Sequence, residues 1–151
     1  MKKIILVLFI SITNLFGQQL KNGEIMEFSN YLKQFDYQER RDMKIDIPNL
    51  IQLLKENKAE LIDIRFPEEV EAWKVGFAKN IPLNELPDRI NELDKNKIIV
   101  TVCPHYDRAS IARHYLTLNG FNSKYLVEGM LGLAEYLRGD KAKEFILSTK
   151  K

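Results

Sequence analysis

The sequence is poor in cysteine and histidine, with one Cys and two His among its 151 residues. A single thiol, Cys103, cannot form an internal disulfide or the Cys-x-x-Cys pair of thioredoxin-type exchange. Together with His105 and His114 it gives no zinc-ligand spacing, so we expect no metal site. Glycine motifs of the P-loop and dinucleotide-binding types are also missing, and we expect no organic cofactor. Chemistry at a reactive side chain would therefore involve Cys103.

An excess of charge of one sign is missing as well. The chain has 23 Lys and Arg against 21 Asp and Glu, a net charge of +2. Lys2 and Lys3 lie in the first 17 residues, which contain no acid, so the remaining chain is neutral. A neutral chain lacks the basic surface of a nucleic-acid-binding protein or of a protein that binds anionic membranes. We therefore expect no nucleic-acid partner.

The sequence also lacks an apolar run long enough to span a bilayer, which takes about 20 residues. The run from Ile4 to Phe16 is shorter and is interrupted by three polar side chains. It follows two lysines and ends at Gly17, a pattern typical of a secretory signal peptide. We interpret residues 1–17 as that signal and expect a periplasmic or secreted protein without stable membrane association after cleavage. An uncleaved anchor and a helix packed on the domain are the alternatives.

The pattern along the chain indicates an extension, a domain and a tail. Residues 18–46 are polar with scattered apolar side chains, and we interpret them as one or two helices of an N-terminal extension. Short β-branched runs then alternate with helical spacing, so we assign 47–138 to one domain and 139–151 to a C-terminal helix or tail. This alternation predicts a parallel α/β sheet. The predicted strands are 61–64, 80–82, 98–102 and 124–127; the predicted helices are 47–54, 87–93, 108–119, 129–137 and 141–147, with another from Pro67.

Cys103 directly follows Ile98–Val102, an apolar run typical of a strand at the centre of a parallel sheet. Ligands of such sheets bind at the carboxyl ends of the strands. A helix is predicted to begin about five residues later, so residues 104–107 must curl over the strand end. Their N–H groups and the helix N-terminus would form an anion-binding nest, which predicts a lowered thiol pKa. The alternative is a cysteine that merely ends a core strand.

Four segments, in this order and spacing, are similar to those of a known family: Leu61 to Glu69, Asn80 to Leu83, Cys103 to Ser110, and Val127 to Met130. On these motifs the chain from about residue 47 to 137 resembles the single-domain rhodaneses, which are sulfurtransferases. The resemblance implies a rhodanese-like three-layer α/β fold with a central five-stranded parallel sheet. The N-terminal helical extension would precede it.

The resemblance also implies the site and its substrates. Cys103 would be the nucleophile that carries sulfane sulfur as a persulfide. The substrates would be a small sulfane-sulfur donor and a thiol or cyanide-like acceptor, with a protein as a further acceptor. No cofactor is implied. The remaining residues of the active-site loop would be Pro104, His105, Tyr106, Asp107 and Arg108.

The length of this loop separates two activities of the fold. The related cell-cycle phosphatases have Cys-x5-Arg, whereas Cys103 and Arg108 form Cys-x4-Arg, the smaller loop suited to sulfur. The sequence departs from the family at Tyr106, where Gly is usual, and at residues 73–78, which replace Gly-His-Ile-x-Gly-Ala. These departures leave the identity of the substrate open.

The charges near the loop bear on the sulfur donor. Residues 104–107 contain one carboxylate and no Lys or Arg, which disfavours the thiosulfate dianion. We therefore expect polysulfide or a small persulfide as donor. Asp63 and Arg65 end a strand on the same side, where they would form a structural ion pair or contact substrate. His105 would hydrogen-bond substrate or adjust the thiolate, or it would be an exposed loop residue without a role in proton transfer.

Three other functions remain open at this point. A non-enzymatic sulfur carrier would load Cys103 but show no steady-state turnover with small acceptors. A phosphatase-like oxyanion enzyme is disfavoured by the loop length. An inactive interaction module predicts that Cys103→Ser leaves the biological role intact.

Overall fold

Residues 26–149 are described by a computed structural model in which five parallel strands form one sheet with helices packed against both faces. The strand order is β1-β5-β4-β2-β3, and every neighbouring pair is parallel. The predicted five-stranded parallel α/β fold is therefore confirmed. The strands are β1 Lys44–Ile45, β2 Ala59–Asp63, β3 Lys79–Asn80, β4 Ile98–Val102 and β5 Ser123–Leu126.

Eight helices lie in the described part of the chain, and a 3₁₀ turn, Ile90–Glu92, follows the fifth. None of them, within residues 26–149, is both long and apolar enough to cross a membrane. The predicted signal peptide, residues 1–17, lies outside the described residues. The helices are α1 Phe28–Gln34, α2 Tyr37–Asp42, α3 Ile47–Lys55, α4 Pro67–Ala72, α5 Leu86–Arg89, α6 Asp107–Leu118, α7 Gly129–Tyr136 and α8 Asp140–Thr149.

Strand β4 lies at the centre of the sheet and divides the core in two. Val100 and Val102 pack with α3, α7 and α8, whereas Ile99 and Cys103 pack with α5 and α6 on the other face. Successive side chains of a strand point to opposite faces, so this division follows from the alternation along β4. It places Cys103 beneath the first turn of α6, at the carboxyl end of the sheet.

The segment 18–46, predicted as helical, also supplies one strand. Helices α1 and α2 lie within it, but Lys44–Ile45 then pairs with β5 as the edge strand β1. Two residues are too few to show the alternation by which strands are recognised in a sequence. Helix α2 has a clear start, because the Asp36 side chain accepts the N–H groups of Gln38 and Glu39.

Three buried side chains attach this segment to α6. The Tyr31 hydroxyl donates to Glu39 Oε1 at 2.8 Å, and Arg113 of α6 donates to the Tyr31 oxygen at 2.7 Å and also to Glu39. All three residues are less than 10% exposed. We call Tyr31, Glu39 and Arg113 the clasp. It connects α1 and α2 to the helix that follows the Cys103 loop.

Replacing Arg113 by Met is expected to destabilise the protein strongly. Removing one partner of a buried ion pair leaves an uncompensated charge, here on Glu39, at a cost of about 3–5 kcal/mol. The free energy of unfolding in urea measures this loss. Arg138→Met is the control, because Arg138 pairs with Glu135 on the surface and no measurable change is expected there. A loss no larger than that of the control would show that the clasp does not stabilise the fold.

Candidate active site

The loop after β4 is anchored by the first turn of α7. Met130 N–H donates to the Cys103 carbonyl at 2.9 Å, and Leu131 N–H donates to the Pro104 carbonyl at 3.3 Å. These bonds use N–H groups of a helix N-terminus that would otherwise lack partners. The loop carbonyls are therefore directed toward α7, and the path of the chain after Cys103 is fixed by a neighbouring element.

Gly129 at the start of α7 permits this close approach. Its φ is +62°, and a Cβ built there would lie 2.1 Å from the His105 carbonyl oxygen and 2.5 Å from that of Pro104. Only a residue without a side chain fits both the left-handed conformation and the contact. The motif that contains Gly129 therefore positions the backbone of the loop that follows Cys103.

The thiol of Cys103 is fully buried and has three polar neighbours. The thiol donates to Asp107 Oδ1 at 3.4 Å, and the backbone N–H groups of Ala109 and His105 are its other two polar neighbours. Burial raises the thiol pKa above its ordinary value; the N–H of Ala109 opposes this, whereas Asp107 adds to it. The prediction of a lowered pKa was wrong, because it counted the N–H groups but neither the burial nor the carboxylate.

Arg108 does not present a free positive charge to the site. Its two Nη atoms donate to the two carboxylate oxygens of Glu69 on α4, at 2.7 and 2.9 Å. The hydrogen bond from Arg108 lowers the pKa of Glu69 to about 2, so the pair is ionised at neutral pH. This bidentate pair ties the first turn of α6 to α4. Glu69 was not predicted as a site residue, because acidic side chains in the first turn of a helix, here Glu68 and Glu69, are common without any site nearby.

Asp63 and Arg65 form a separate, fully buried ion pair. Arg65 donates from Nη2 to Asp63 Oδ2 at 2.8 Å and to the Trp73 carbonyl at 2.9 Å, and its guanidinium lies 4.2 Å from the centre of the Trp73 ring. No hydrogen bond within residues 26–149 joins this pair to the Cys103 loop. Its contacts hold the end of β2 against the segment that follows α4.

The other predicted residues lie at the rim or behind the loop. His105 and Tyr106 are exposed, and the Tyr106 ring lies 6.4 Å from that of Tyr125. His114 is partly buried: its Nδ1 is 2.7 Å from the Ser110 carbonyl, and its ring lies edge-on to Tyr31 of the clasp. Within the described residues 26–149, no three His, Cys, Asp or Glu side chains are grouped so that they could hold a metal ion.

Comparisons with known proteins show what this chain is similar to. The family model described as "Rhodanese-like domain" matches residues 47–135. A thiosulfate sulfurtransferase GlpE of Pseudomonas syringae pv. syringae is 33% identical over 82 residues, which are 54% of this chain and 77% of the relative. The uncharacterized protein YqhL of Bacillus subtilis is 38% identical over 72 residues, 48% of this chain and 57% of the relative.

A solved structure shares the fold. The crystal structure of a rhodanese-like domain protein from Staphylococcus aureus is 31% identical to this chain and superposes with a TM-score of 0.53. The match covers 58% of this chain and 87% of the other. The two structures therefore agree over nearly the whole of the solved protein, whereas much of this chain lies outside the match.

Proposed function

The chain belongs to the rhodanese-like domain family, and from this premise we propose that it transfers sulfane sulfur through a persulfide on Cys103. Its family and its relatives support a sulfurtransferase, which takes sulfur from a donor and passes it to an acceptor. The persulfide, the roles of the loop residues and the choice of donor are the finer parts of the proposal. The observation that carries it is the position of the Cys103 thiol at the carboxyl end of β4, in a loop that the first turn of α7 anchors.

The proposed reaction has two steps. The Cys103 thiol first loses its proton to solvent, and the thiolate attacks the outer sulfur of the donor. The new S–S bond forms as the donor's S–S bond breaks, and the donor leaves with that electron pair. An acceptor thiolate then attacks the outer sulfur of the persulfide and regenerates Cys103. Covalent catalysis divides one transfer into two easier ones, and the N–H groups of His105 and Ala109 stabilise negative charge at Sγ.

Intact-mass analysis after exposure to a sulfur donor tests the proposal. The full chain is incubated separately with polysulfide, glutathione persulfide and thiosulfate, and we expect the mass to rise by that of one sulfur atom. Cyanide or glutathione should then remove the added sulfur. Steady-state turnover with these acceptors distinguishes an enzyme from a carrier that only loads. No added sulfur from any donor would contradict the proposal.

We predict that polysulfide or glutathione persulfide loads Cys103 much faster than thiosulfate. Thiosulfate carries two negative charges, yet Arg108 is paired with Glu69, and Asp107 forms no salt bridge within residues 26–149. Repulsion from Asp107 therefore opposes the dianion, although its exposure to solvent weakens the effect. Intact-mass analysis of samples quenched at successive times gives the loading rate for each donor.

The variant Asp107→Asn is expected to narrow the gap between the donors, raising the thiosulfate rate on the order of tenfold more than the polysulfide rate, since the charge is removed and the size is kept. Asp88→Asn is the matched control, because Asp88 is also exposed and also lies in the first turn of a helix. Equal rates for all donors in the unmodified chain, or no response to Asp107→Asn, would count against the electrostatic choice of donor and leave the sulfurtransferase proposal standing.

Export is a separate part of the proposal, supported by the pattern of residues 1–17. Expressed with this leader, the protein is expected to begin near Gln18 and to occur in the periplasm or the medium. N-terminal sequencing of each cell fraction measures both. Recovery of the full-length chain from the cytosol would contradict export without affecting the chemistry at Cys103.

A further inference from the structure

The Cys103–Asp107 hydrogen bond distinguishes between the two states of the proposed cycle. In the resting state the thiol proton is directed at Asp107 Oδ1 over a sulfur–oxygen distance of 3.4 Å. In a persulfide, Sγ carries a second sulfur in place of that proton. Sγ would then present only lone pairs and would donate no hydrogen bond to the carboxylate. The same carboxylate thus favours the unloaded state and disfavours the loaded one.

Asp107 is well placed to remain charged throughout. Hydrogen bonds from the Arg108 N–H and from the Cys103 thiol lower the pKa of its carboxyl group. The neighbouring cations are occupied elsewhere, since Arg108 pairs with Glu69 on α4 and Arg65 pairs with Asp63 at the end of β2. The negative charge nearest to Sγ is therefore not neutralised by a salt bridge in the described part of the chain.

We propose that Asp107 holds resting Cys103 as a thiol and drives the loaded protein to give up its sulfur to a thiol acceptor. The inference rests on the proposed function. In the unloading step, the acceptor thiolate bonds to the outer sulfur, which keeps its proton, and the Sγ–S bond breaks with its electron pair left on Sγ. Sγ then takes a proton from water, and the resulting thiol donates a hydrogen bond to the Asp107 carboxylate. Asp107 thereby stabilises the product of unloading.

Two measurements on the full chain and its Asp107→Asn variant test this role. The first is the pH dependence of Cys103 alkylation by iodoacetamide, a neutral reagent, followed by intact mass. The second is the rate at which protein loaded with polysulfide gives sulfur to glutathione. We expect Asp107→Asn to shift the alkylation profile to lower pH by about one unit, a factor of ten at a given pH, and to slow unloading by a similar factor. Asp107→Ser should act in the same direction, and Asp88→Asn should leave both readouts unchanged.

The outcomes separate this role from the function it rests on. Superimposed alkylation profiles would overturn the claim that Asp107 holds the thiol. A shifted profile with unchanged unloading would overturn the claim that it drives release. A chain that takes up no sulfur from any donor would refute the proposed function and the unloading step together, while the alkylation profile would still decide whether Asp107 acts on the thiol.

Discussion

Replacing Cys103 by serine is expected to reduce sulfur uptake to background while the domain stays folded. A serine hydroxyl is a weak nucleophile at neutral pH and cannot form the S–S bond of a persulfide. The substitution is nearly isosteric, and the buried hydroxyl can donate to Asp107 as the thiol does. We therefore expect a loss of no more than about 1 kcal/mol in stability. Intact mass after polysulfide treatment gives the uptake, and unfolding in urea gives the stability.

The single cysteine of the chain makes this experiment easy to interpret. No second thiol can take up sulfur in the variant, because Cys103 is the only cysteine in the sequence. Wild-type protein alkylated at Cys103 is a matched control that should also fail to load. Uptake retained by Cys103→Ser would place the sulfur elsewhere and end the assignment of the nucleophile. Loss of uptake with an intact biological role would instead favour an interaction module.

The pattern along the sequence predicted four of the five strands, whereas the five-stranded sheet was implied only by the family resemblance. Strand β4 lies where the unbroken run Ile98–Val102 predicted it, and helix α6 begins within one residue of the predicted start. Strand β1 was missed, because Lys44–Ile45 takes its conformation from pairing with β5 and not from its own pattern. Local patterns reveal elements that are long enough to show a period, and edge strands of two residues are not.

The site was predicted in its position but not in its electrostatics. The loop from Cys103 to Arg108 could be found from the strand before it and the helix after it. The pairing of Arg108 with Glu69 joins residues 39 positions apart, and the clasp between Glu39 and Arg113 spans 74 positions. Such contacts are decided by packing, and charged residues alone do not show their partners in a sequence. The same is true of burial, which reversed the predicted direction of the Cys103 pKa.

The variant Gly129→Ala is expected to impair loading of Cys103 by about a hundredfold. The added Cβ would lie 2.1 Å from the His105 carbonyl oxygen, so the loop or the start of α7 must move. Displacing a reacting group by about 1 Å can cost about 10²-fold in rate. The carbonyls of Cys103 and Pro104, which accept N–H groups from α7, would move with the loop. The rate of sulfur uptake from polysulfide, followed by intact mass, measures the effect.

Gly120→Ala separates this clash from the strain of the backbone. Gly120 also has a positive φ, +79°, but a Cβ there would meet no heavy atom within 4 Å. Both variants force alanine into the left-handed region, at roughly 1–2 kcal/mol each, so a similar loss of stability is expected from this cause alone. Only Gly129→Ala should also lose loading, since only its Cβ contacts the loop. Equal loading by the two variants would show that the contact between α7 and the loop does not position Cys103.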